Sequence, residues 1–475
     1  MHGTASDKSV IETPRILPWV VAGVFYLDNF DAAAIVSILP VVARDFGAGV
    51  GAASMAVTAY LVALAIFTPV SGWMADRFGG RRVLASALAV FGLGAAGVAL
   101  ASGLTGLVLA RAVQGVGGAM MVPVGRVVMM RSFPRSEFVR AMAIVTTPAI
   151  LGGVLAPSLG GAAATWGSWR WLFWAELPVA LAAAVLVLRH VPAGAPIAPR
   201  PLSPAAFVLF GVALAGLTIL FGMVSAGAAS GLLFWGLMAV VLPTGALALW
   251  YNRRAAVPLF DFALLRRRSF AAAIGPGTLF FMTAGAVPFL LPMLFQIGLG
   301  RNAFESGMFT LVWALVALVM KATTPTVLRR FGFRTVLCTN AAILAAASLG
   351  AAMIGPAMPI VVLMGVLVAY GVARSLQFSV VASFTYAEIE PNDVGAATGF
   401  AGMVRQLSNS LGVALAAVVL VLIAGGGEPS ATDINLTFGI LAALPAVAAL
   451  MFLRLPRDIG AAMSGHLPRG RAAPT

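Results

Sequence analysis

The chain has few charged residues and almost no lysine, histidine or cysteine. Only 10% of its 475 residues are charged, whereas soluble domains carry about 25%. Cys338 is the single cysteine, which excludes an intramolecular disulfide and a cysteine-based metal cluster. The only lysines, Lys8 and Lys321, lie outside any Gly-x-x-x-x-Gly-Lys stretch, so the phosphate loop of ATPases is excluded as well. We therefore expect no metal site and no bound cofactor.

Apolar residues dominate instead, at 61% of the chain and a mean hydropathy of +1.00. A membrane span needs about 20 apolar residues, and polar segments divide the sequence into fourteen runs of about that length. No room is left for a large soluble domain, so we predict an all-α polytopic membrane protein. The predicted spans lie near 17–42, 52–75, 82–102, 105–130, 139–163, 169–189, 204–226, 231–251, 270–297, 305–328, 335–355, 359–386, 395–424 and 434–454.

The basic residues are distributed unevenly among the connecting segments. If the N-terminus is inside, 22 of the 30 Lys and Arg residues lie in cytoplasmic segments, and only Arg44, Arg170 and Arg301 lie in outer loops. Cytoplasmic loops of membrane proteins carry this excess of positive charge. We therefore predict a multi-pass protein of the bacterial inner membrane with both termini in the cytoplasm.

Three short sequences recur at nearly one offset, which indicates two copies of a six-span bundle. Leu39-Pro40 and Ser158-Leu159-Gly160 recur 252 residues later, and Arg77-Phe78-Gly79 recurs 253 residues later. Parallel repeats of this kind are typical of rocking transporters whose site lies between the halves. The predicted division is an N-terminal tail, a first bundle, a linker with two inserted spans, a second bundle and a C-terminal tail. Their bounds are 1–16, 17–190, 191–268, 269–455 and 456–475.

The segment after the second span combines glycines, one acid and several arginines. An acid among arginines at a helix end can form a charge-assisted latch that breaks and reforms, and we expect Asp76 to pair with a helix end across the interface between the bundles. The bland alternative is a positively charged turn. The segment resembles the loop signature of the major facilitator superfamily, which implies a gating role, although its second copy has Arg329 in place of the acid. The residues concerned are Gly72, Asp76, Arg77, Gly79 and Arg81.

Two further spans match patterns of the same superfamily. In the fourth span, Arg111 and Gln114 stand in a pattern whose arginine is linked to proton transfer, the alternative being a structural ion pair. At about 1.5 Å per residue, Arg111 lies about 9 Å and Asp31 about 16 Å below the outer end, so the arginine side chain can close most of that gap if the two helices are neighbours. The fifth span resembles the signature of the exporters, with Ala156 where glycine is usual; ordinary helix packing by small residues is its alternative. The residues of this antiporter motif are Gly152, Gly153, Pro157, Gly160 and Gly161.

The first span indicates which branch of the superfamily the chain resembles. Residues 31–40, with Asp31 and Leu39-Pro40, resemble the first-span signature of the fourteen-span drug:proton antiporters, the EmrB/QacA-like branch. The resemblance covers nearly the whole chain, and within the branch we expect an HsrA-like member. It implies that the proton gradient, with no cofactor, drives transport.

Only three acids lie in the interior of the predicted spans, namely Asp28, Asp31 and Glu176. Asp28 and Asp31 are three residues apart on one helix face, where two carboxylates cannot both ionise cheaply. We therefore expect Asp28, Asp31, Arg111 and Glu176 to take part in proton coupling. Asp28 as a structural acid bonded to a neighbouring helix is the alternative.

The second half has no acid in the interior of its predicted spans but carries Lys321, Arg374 and Arg405. This charge pattern suits an anionic or zwitterionic amphiphile as well as a cationic drug. The candidates for the substrate cavity are Tyr26, Phe30, Gln114, Trp174, Arg374, Gln377 and Arg405. For the aromatic residues among them, the alternative to ligand binding is packing or a place in an interfacial belt.

The sequence thus predicts a proton-coupled antiporter that exports hydrophobic or amphipathic small molecules such as drugs by alternating access. An uptake carrier, or an exporter of lipids or anionic amphiphiles with the same fold, is the main alternative. A membrane enzyme acting on polyprenyl substrates is disfavoured by the short, nearly uncharged outer loops, and a channel or sensor would lack proton-coupled accumulation. We expect a monomer in the lipid bilayer that binds no nucleic acid.

Overall fold

The computed structural model describes residues 16–133, 135–193, 203–225, 231–255, 258, 260–390, 393–425, 427–456 and 459–460. Nearly all of both predicted tails, 1–16 and 456–475, lies outside the described residues, as does the side chain of Lys321. The described part is helical throughout and contains no strand. Its helices are α1 (Leu17–Asp45), α2 (Val50–Phe78), α3 (Gly80–Leu100), α4 (Leu104–Ser132), α5 (Arg135–Trp166), α6 (Arg170–His190), α7 (Pro204–Ser225), α8 (Leu232–Arg254), α9 (Arg268–Met293), α10 (Ala303–Ala351), α11 (Ile360–Phe384), α12 (Val394–Ile423), α13 (Ala431–Leu441) and α14 (Ala443–Phe452).

The predicted spans correspond to these helices with two differences of segmentation. Helix α10 covers two predicted spans and is interrupted at Gly332, whose backbone has φ +72°. Helices α13 and α14 together cover the last predicted span. Among the described residues, thirteen helical stretches are long and apolar enough to cross a membrane. The all-α polytopic fold predicted from the sequence is confirmed.

Backbone geometry repeats along the chain at the offset seen in the sequence. Gly79, which follows α2, has φ +84°, and Gly332 stands 253 residues later with φ +72°. Gly47 and Gly300 form a second pair at the same offset, with φ of +60° and +62°. Glycine alone adopts these left-handed conformations without steric cost. The repeat therefore extends from short sequences to the turns that separate the helices.

Within each half, the helices pack in corresponding pairs. Helix α1 packs on α5 and α2 on α4 in the first half, and α9 packs on α12 and α10 on α11 in the second. Helices α7 and α8 pack on each other, and α7 also contacts α2 and α12. The inserted helices thus lie beside the two halves and leave the space between them to the repeated helices.

The two halves are joined at the helix ends assigned to the outside. The Gln296 amide donates to the Ser37 carbonyl (2.8 Å), and the backbone N–H of Phe304 donates to the Thr165 hydroxyl (3.1 Å). The rings of Trp166 and Phe304 lie 4.7 Å apart between centroids. These contacts hold the two halves together at that end.

Candidate functional site

The first functional cluster is built on a buried ion pair between α1 and α4. Arg111 Nη1 donates to both carboxylate oxygens of Asp31, at 2.6 and 2.8 Å, and both side chains are completely buried. The outer start of α4 and the outward course of α1 predict this proximity, since the arginine side chain spans the remaining axial distance. A single nitrogen makes both bonds, so the pair does not use the two-nitrogen fork typical of arginine and carboxylate.

Gln114 extends the cluster to the third predicted acid. Its amide nitrogen donates to Asp31 (3.0 Å) and to Glu176 on α6 (3.0 Å), while its amide oxygen accepts from Arg111 (2.7 Å). Glu176 Oε1 and Arg111 Nε and Nη2 have no hydrogen-bond partner in the part of the chain that the structure describes. One amide therefore connects two carboxyl groups, and the cluster retains unused donors and one unused acceptor.

Tyr60 on α2 completes the cluster, although no sequence motif singles it out. The Arg111 guanidinium lies over its ring, 4.3 Å from the centroid, and its hydroxyl donates to Asp28 (3.2 Å). Gly115 allows this arrangement, because a Cβ at that position would lie 2.6 Å from the Tyr60 carbonyl oxygen. Tyr60 thus contacts both the arginine and the second acid of α1.

A cavity of about 420 Å³ lies between the two halves, next to this cluster. Its volume is within the range of small-molecule sites, about 300–1,000 Å³. Helices α1, α2, α4 and α5 line it from the first half, and α9, α10, α11 and α12 line it from the second. Among the described lining residues, the only charged side chains are Arg111 and Arg374, and the remaining lining is mainly apolar.

Arg374 lines the same cavity from the second half and also lies over an aromatic ring. Its guanidinium lies over the ring of Trp313 on α10, 4.6 Å from the centroid, and Tyr370 packs edge-on against that ring. Gly371 permits the approach of α11, because a Cβ there would lie 2.7 Å from the Trp313 carbonyl oxygen. No carboxylate of the described residues forms an ion pair with Arg374.

The predicted cavity residues are placed differently from one another, and only Arg374 lines the cavity described above. Gln114 and Gln377 are completely buried, the first within the Asp31 cluster and the second near α10. The side chain of Trp174 is 42% exposed on the face of α6 that points away from the helix bundle. Tyr26 and Phe30 stack on each other along α1, and Arg405 lies over Phe378, whose side chain does line the cavity.

The loop signature, which begins in the last turns of α2, forms an ion pair with α4. Asp76 accepts a hydrogen bond from Arg131, and both side chains are partly exposed. Arg77 lies over the ring of Trp73, and Arg81 lies in the first turn of α3. We expected Asp76 to pair across the interface between the bundles; in this structure its partner belongs to the same bundle. Gly72 lies in α2, and Gly79 forms the turn to α3.

The fifth-helix motif brings α5 close to α1 in its own half and to α10 in the other half. A Cβ at Gly152 would contact the Tyr26 carbonyl, and one at Gly160 would lie 2.9 Å from the Ser37 hydroxyl. Gly161 faces the other half, where a Cβ would overlap the backbone of Ala303. Gly153 and Pro157 line the cavity instead. The motif thus sets the approach of α5 to α1 and to the first turn of α10.

A metal centre has no set of ligands in the described part of the chain, where no three His, Cys, Asp or Glu side chains gather. Among the described residues, the charged side chains that line the cavity are Arg111, which pairs with Asp31, and Arg374.

Comparison with known proteins identifies the family of this architecture. The model of the Major Facilitator Superfamily matches residues 21–413. A Klebsiella pneumoniae (strain 342) protein assigned by name to multidrug resistance, MdtD, is 34% identical over 93% of this chain and 95% of its own. MdtD of Escherichia coli O157:H7 (strain EC4115 / EHEC) is 32% identical over 93% of this chain and 94% of its own.

Solved structures show the same fold at low sequence identity. A peptide transporter POT in complex with sulfate has a TM-score of 0.69 at 15% identity, covering 94% of this chain and 95% of that one. The nucleoside transporter NupG has a TM-score of 0.64 at 16% identity, covering 92% of this chain and 98% of that one.

The family match and the relatives confirm the resemblance drawn from the sequence motifs to the superfamily and its fourteen-span branch. A transporter family also agrees with the expectation that the chain is not an enzyme. The finer expectation of an HsrA-like member stays a prediction. On this evidence the chain belongs to the Major Facilitator Superfamily and is a multi-pass membrane transporter.

Proposed function

We propose that this transporter is a proton-coupled antiporter that exports hydrophobic or amphipathic small molecules across the bacterial cytoplasmic membrane. The observation that carries the proposal is the completely buried pair of Asp31 and Arg111, which lies beside a cavity between the two halves. Ionisable groups inside a membrane are costly and mark ion or proton pathways. The names of the curated relatives support drug-like compounds as the substrate class.

The proton acts by making and breaking the Asp31 pair. When Asp31 is ionised, its charge balances that of Arg111, and Gln114 holds both side chains in place. A proton on Asp31 removes this attraction and leaves Arg111 without a counter-charge. Since Arg111 also lies over Tyr60, the change alters the contacts among α1, α2 and α4. Proton binding thereby favours one arrangement of these helices over the other.

Glu176 serves as a second proton-binding group in this scheme. It is 2% exposed, and no cation of the described residues forms an ion pair with it. An uncompensated carboxylate in such a place is expensive, so Glu176 carries a proton while Asp31 is ionised. Gln114 donates hydrogen bonds to both carboxyl groups, so a change in the protonation of one alters the hydrogen bonding of the other.

The closed outer ends of the halves support loading from the cytoplasm. Contacts between Ser37 and Gln296, and between Thr165 and Phe304, join the halves on the predicted outer side. A substrate that reaches the cavity from the inside would leave after these contacts open. We also propose that the protein is a monomer of the inner membrane with both termini in the cytoplasm. The proposed division of the chain is a first bundle at 17–190, a linker with the inserted helices at 191–268 and a second bundle at 269–455.

Everted membrane vesicles from an efflux-deficient bacterial host test the proposal. A panel of lipophilic dyes is offered outside, which is the cytoplasmic face, and respiration supplies a proton gradient. We expect at least one dye to accumulate with wild-type protein and to be lost on addition of an uncoupler. Accumulation only in right-side-out vesicles would establish the uptake carrier, and accumulation that survives the uncoupler would contradict proton coupling.

A further inference from the structure

The charged side chains known to line the central cavity are positive. Among its described lining residues, Arg111 and Arg374 are the only side chains with a formal charge. The acids of the first half do not line it; Asp31 lies behind Arg111 and is completely buried. A ligand in this space therefore meets guanidinium groups rather than carboxylates.

The two arginines differ in how their charge is balanced. Arg111 Nη1 lies 2.6 Å from a carboxylate oxygen of Asp31, which balances its charge. Arg374 has no ion-pair partner among the described residues, and its Nε is a buried donor without an acceptor there. An arginine without a counter-charge inside a membrane protein is costly and calls for a partner. The partner that the structure leaves room for is a ligand in the cavity.

The surroundings of Arg374 hold the guanidinium in place for such a partner. One face of the group lies over Trp313, and Tyr370 packs edge-on against the same ring, so the aromatic contact occupies a face of the guanidinium and not its N–H edge. The indole N–H of Trp313 is another buried donor without a described acceptor. A planar anion such as a carboxylate accepts two hydrogen bonds from this edge.

The rest of the lining suits an apolar body attached to that anion. From the first half it presents Ala33, Val36 and Val57, and from the second Ala284 and Phe378. With a volume of about 420 Å³, the cavity accepts a compound of the size of a small aromatic or short aliphatic acid.

We propose that the substrate is an amphipathic organic acid whose carboxylate binds Arg374 and whose apolar body fills the cavity between the halves. This inference rests on the proposed function and deepens it, because it names the substrate class of the same site. A cationic amphiphile is disfavoured, since it would meet two guanidinium groups and no carboxylate among the lining residues that the structure describes.

Equilibrium dialysis of the purified full-length protein in detergent tests the proposal with three probes of one shape. These are 2-naphthoate, its neutral amide 2-naphthamide, and the cation 2-naphthylmethylammonium. We expect naphthoate to bind the tightest. In Arg374→Gln its affinity should fall roughly tenfold or more, because a hydrogen-bonded charge partner is lost. Arg374→Lys keeps the charge and should restore part of the affinity. Arg301→Gln, at the outer surface, removes an equal charge and should leave binding unchanged.

Two results would overturn the proposal. The first is equal binding of naphthoate and naphthamide by wild-type protein, or unchanged naphthoate affinity in Arg374→Gln. The second is displacement of naphthoate by phosphatidylglycerol at a comparable concentration, which would assign the site to an anionic lipid.

The binding test needs no proton gradient, so its outcome is separate from that of the vesicle assay. Selective naphthoate binding without gradient-driven export would contradict the antiporter and leave the anion site intact. Gradient-driven export of neutral or cationic dyes, with no preference for naphthoate, would do the reverse.

Discussion

Trp313 is the counterpart of Tyr60 in the second half: it stands 253 residues later, and each ring lies under a guanidinium. Arg111 is 4.3 Å from the Tyr60 centroid, and Arg374 is 4.6 Å from the Trp313 centroid. In the first half, Arg111 precedes Gly115, the glycine that contacts the Tyr60 backbone. In the second half, Arg374 follows Gly371, the glycine that contacts the Trp313 backbone. The halves thus share one supporting device but differ in charge balance. The first half provides its own carboxylate, whereas the second leaves an arginine facing the cavity.

Removal of the Tyr60 ring should weaken the first half more than removal of its hydroxyl. Tyr60→Leu abolishes the stacking under Arg111, which contributes about 2 kcal/mol when desolvated. Tyr60→Phe keeps the ring and loses only the bond to Asp28. Thermal unfolding in detergent should therefore rank wild type above Tyr60→Phe, and Tyr60→Phe above Tyr60→Leu. An equal melting temperature for the two variants would show that the stacking adds nothing.

Arg111→Gln should destabilise the protein because it leaves Asp31 buried without a cation. Breaking one side of a buried pair costs about 3–5 kcal/mol. The double variant Asp31→Asn, Arg111→Gln leaves no unbalanced charge and should recover most of the lost stability. If the double variant melts no higher than Arg111→Gln, the pair is not the origin of the loss.

Asp76→Asn should change transport while hardly changing stability. Its pair with Arg131 is partly exposed, and such pairs contribute about 0–1 kcal/mol. If the pair fixes the inner ends of α2 and α4, its loss shifts the proportion of molecules open to the cytoplasm and slows turnover. Labelling of a single cysteine placed near these ends measures that proportion, in a Cys338→Ser background. Arg131→Gln should reproduce the shift; labelling equal to wild type in both variants would exclude a gating role.

Gly161→Ala should disfavour the closed outer ends. The added Cβ would overlap the backbone of Ala303 at the junction of α5 and α10, and backbone cannot move aside as a flexible side chain can. Cysteine pairs across this junction should crosslink less in the variant. Gly153→Ala, where a Cβ has its nearest described neighbour at 3.8 Å, is the matched control. Equal crosslinking in Gly161→Ala and wild type would show that the contact is not limiting.

The sequence predicted the helices, the repeat and the buried acids, because all three depend on local composition and spacing. It also placed Arg111 within reach of Asp31, since both positions follow from helix rise and direction. It did not predict Tyr60 or Trp313, because aromatic residues in apolar helices are usually packing. Applying the 253-residue offset to Tyr60 would have identified Trp313. The partner of Asp76 and the outward position of Trp174 depend on helix rotation, which composition does not specify.

The central claim is that Asp31 carries the proton exchanged for substrate, and everted vesicles measure this directly. One dye exported by the wild type is followed in two modes: accumulation driven by the proton gradient, and exchange of labelled for unlabelled dye without a gradient. Asp31→Asn should lose the first and keep the second, while Asp45→Asn, an exposed acid at the outer end of the same helix, should keep both. Gradient-driven accumulation by Asp31→Asn at the wild-type level would contradict the account.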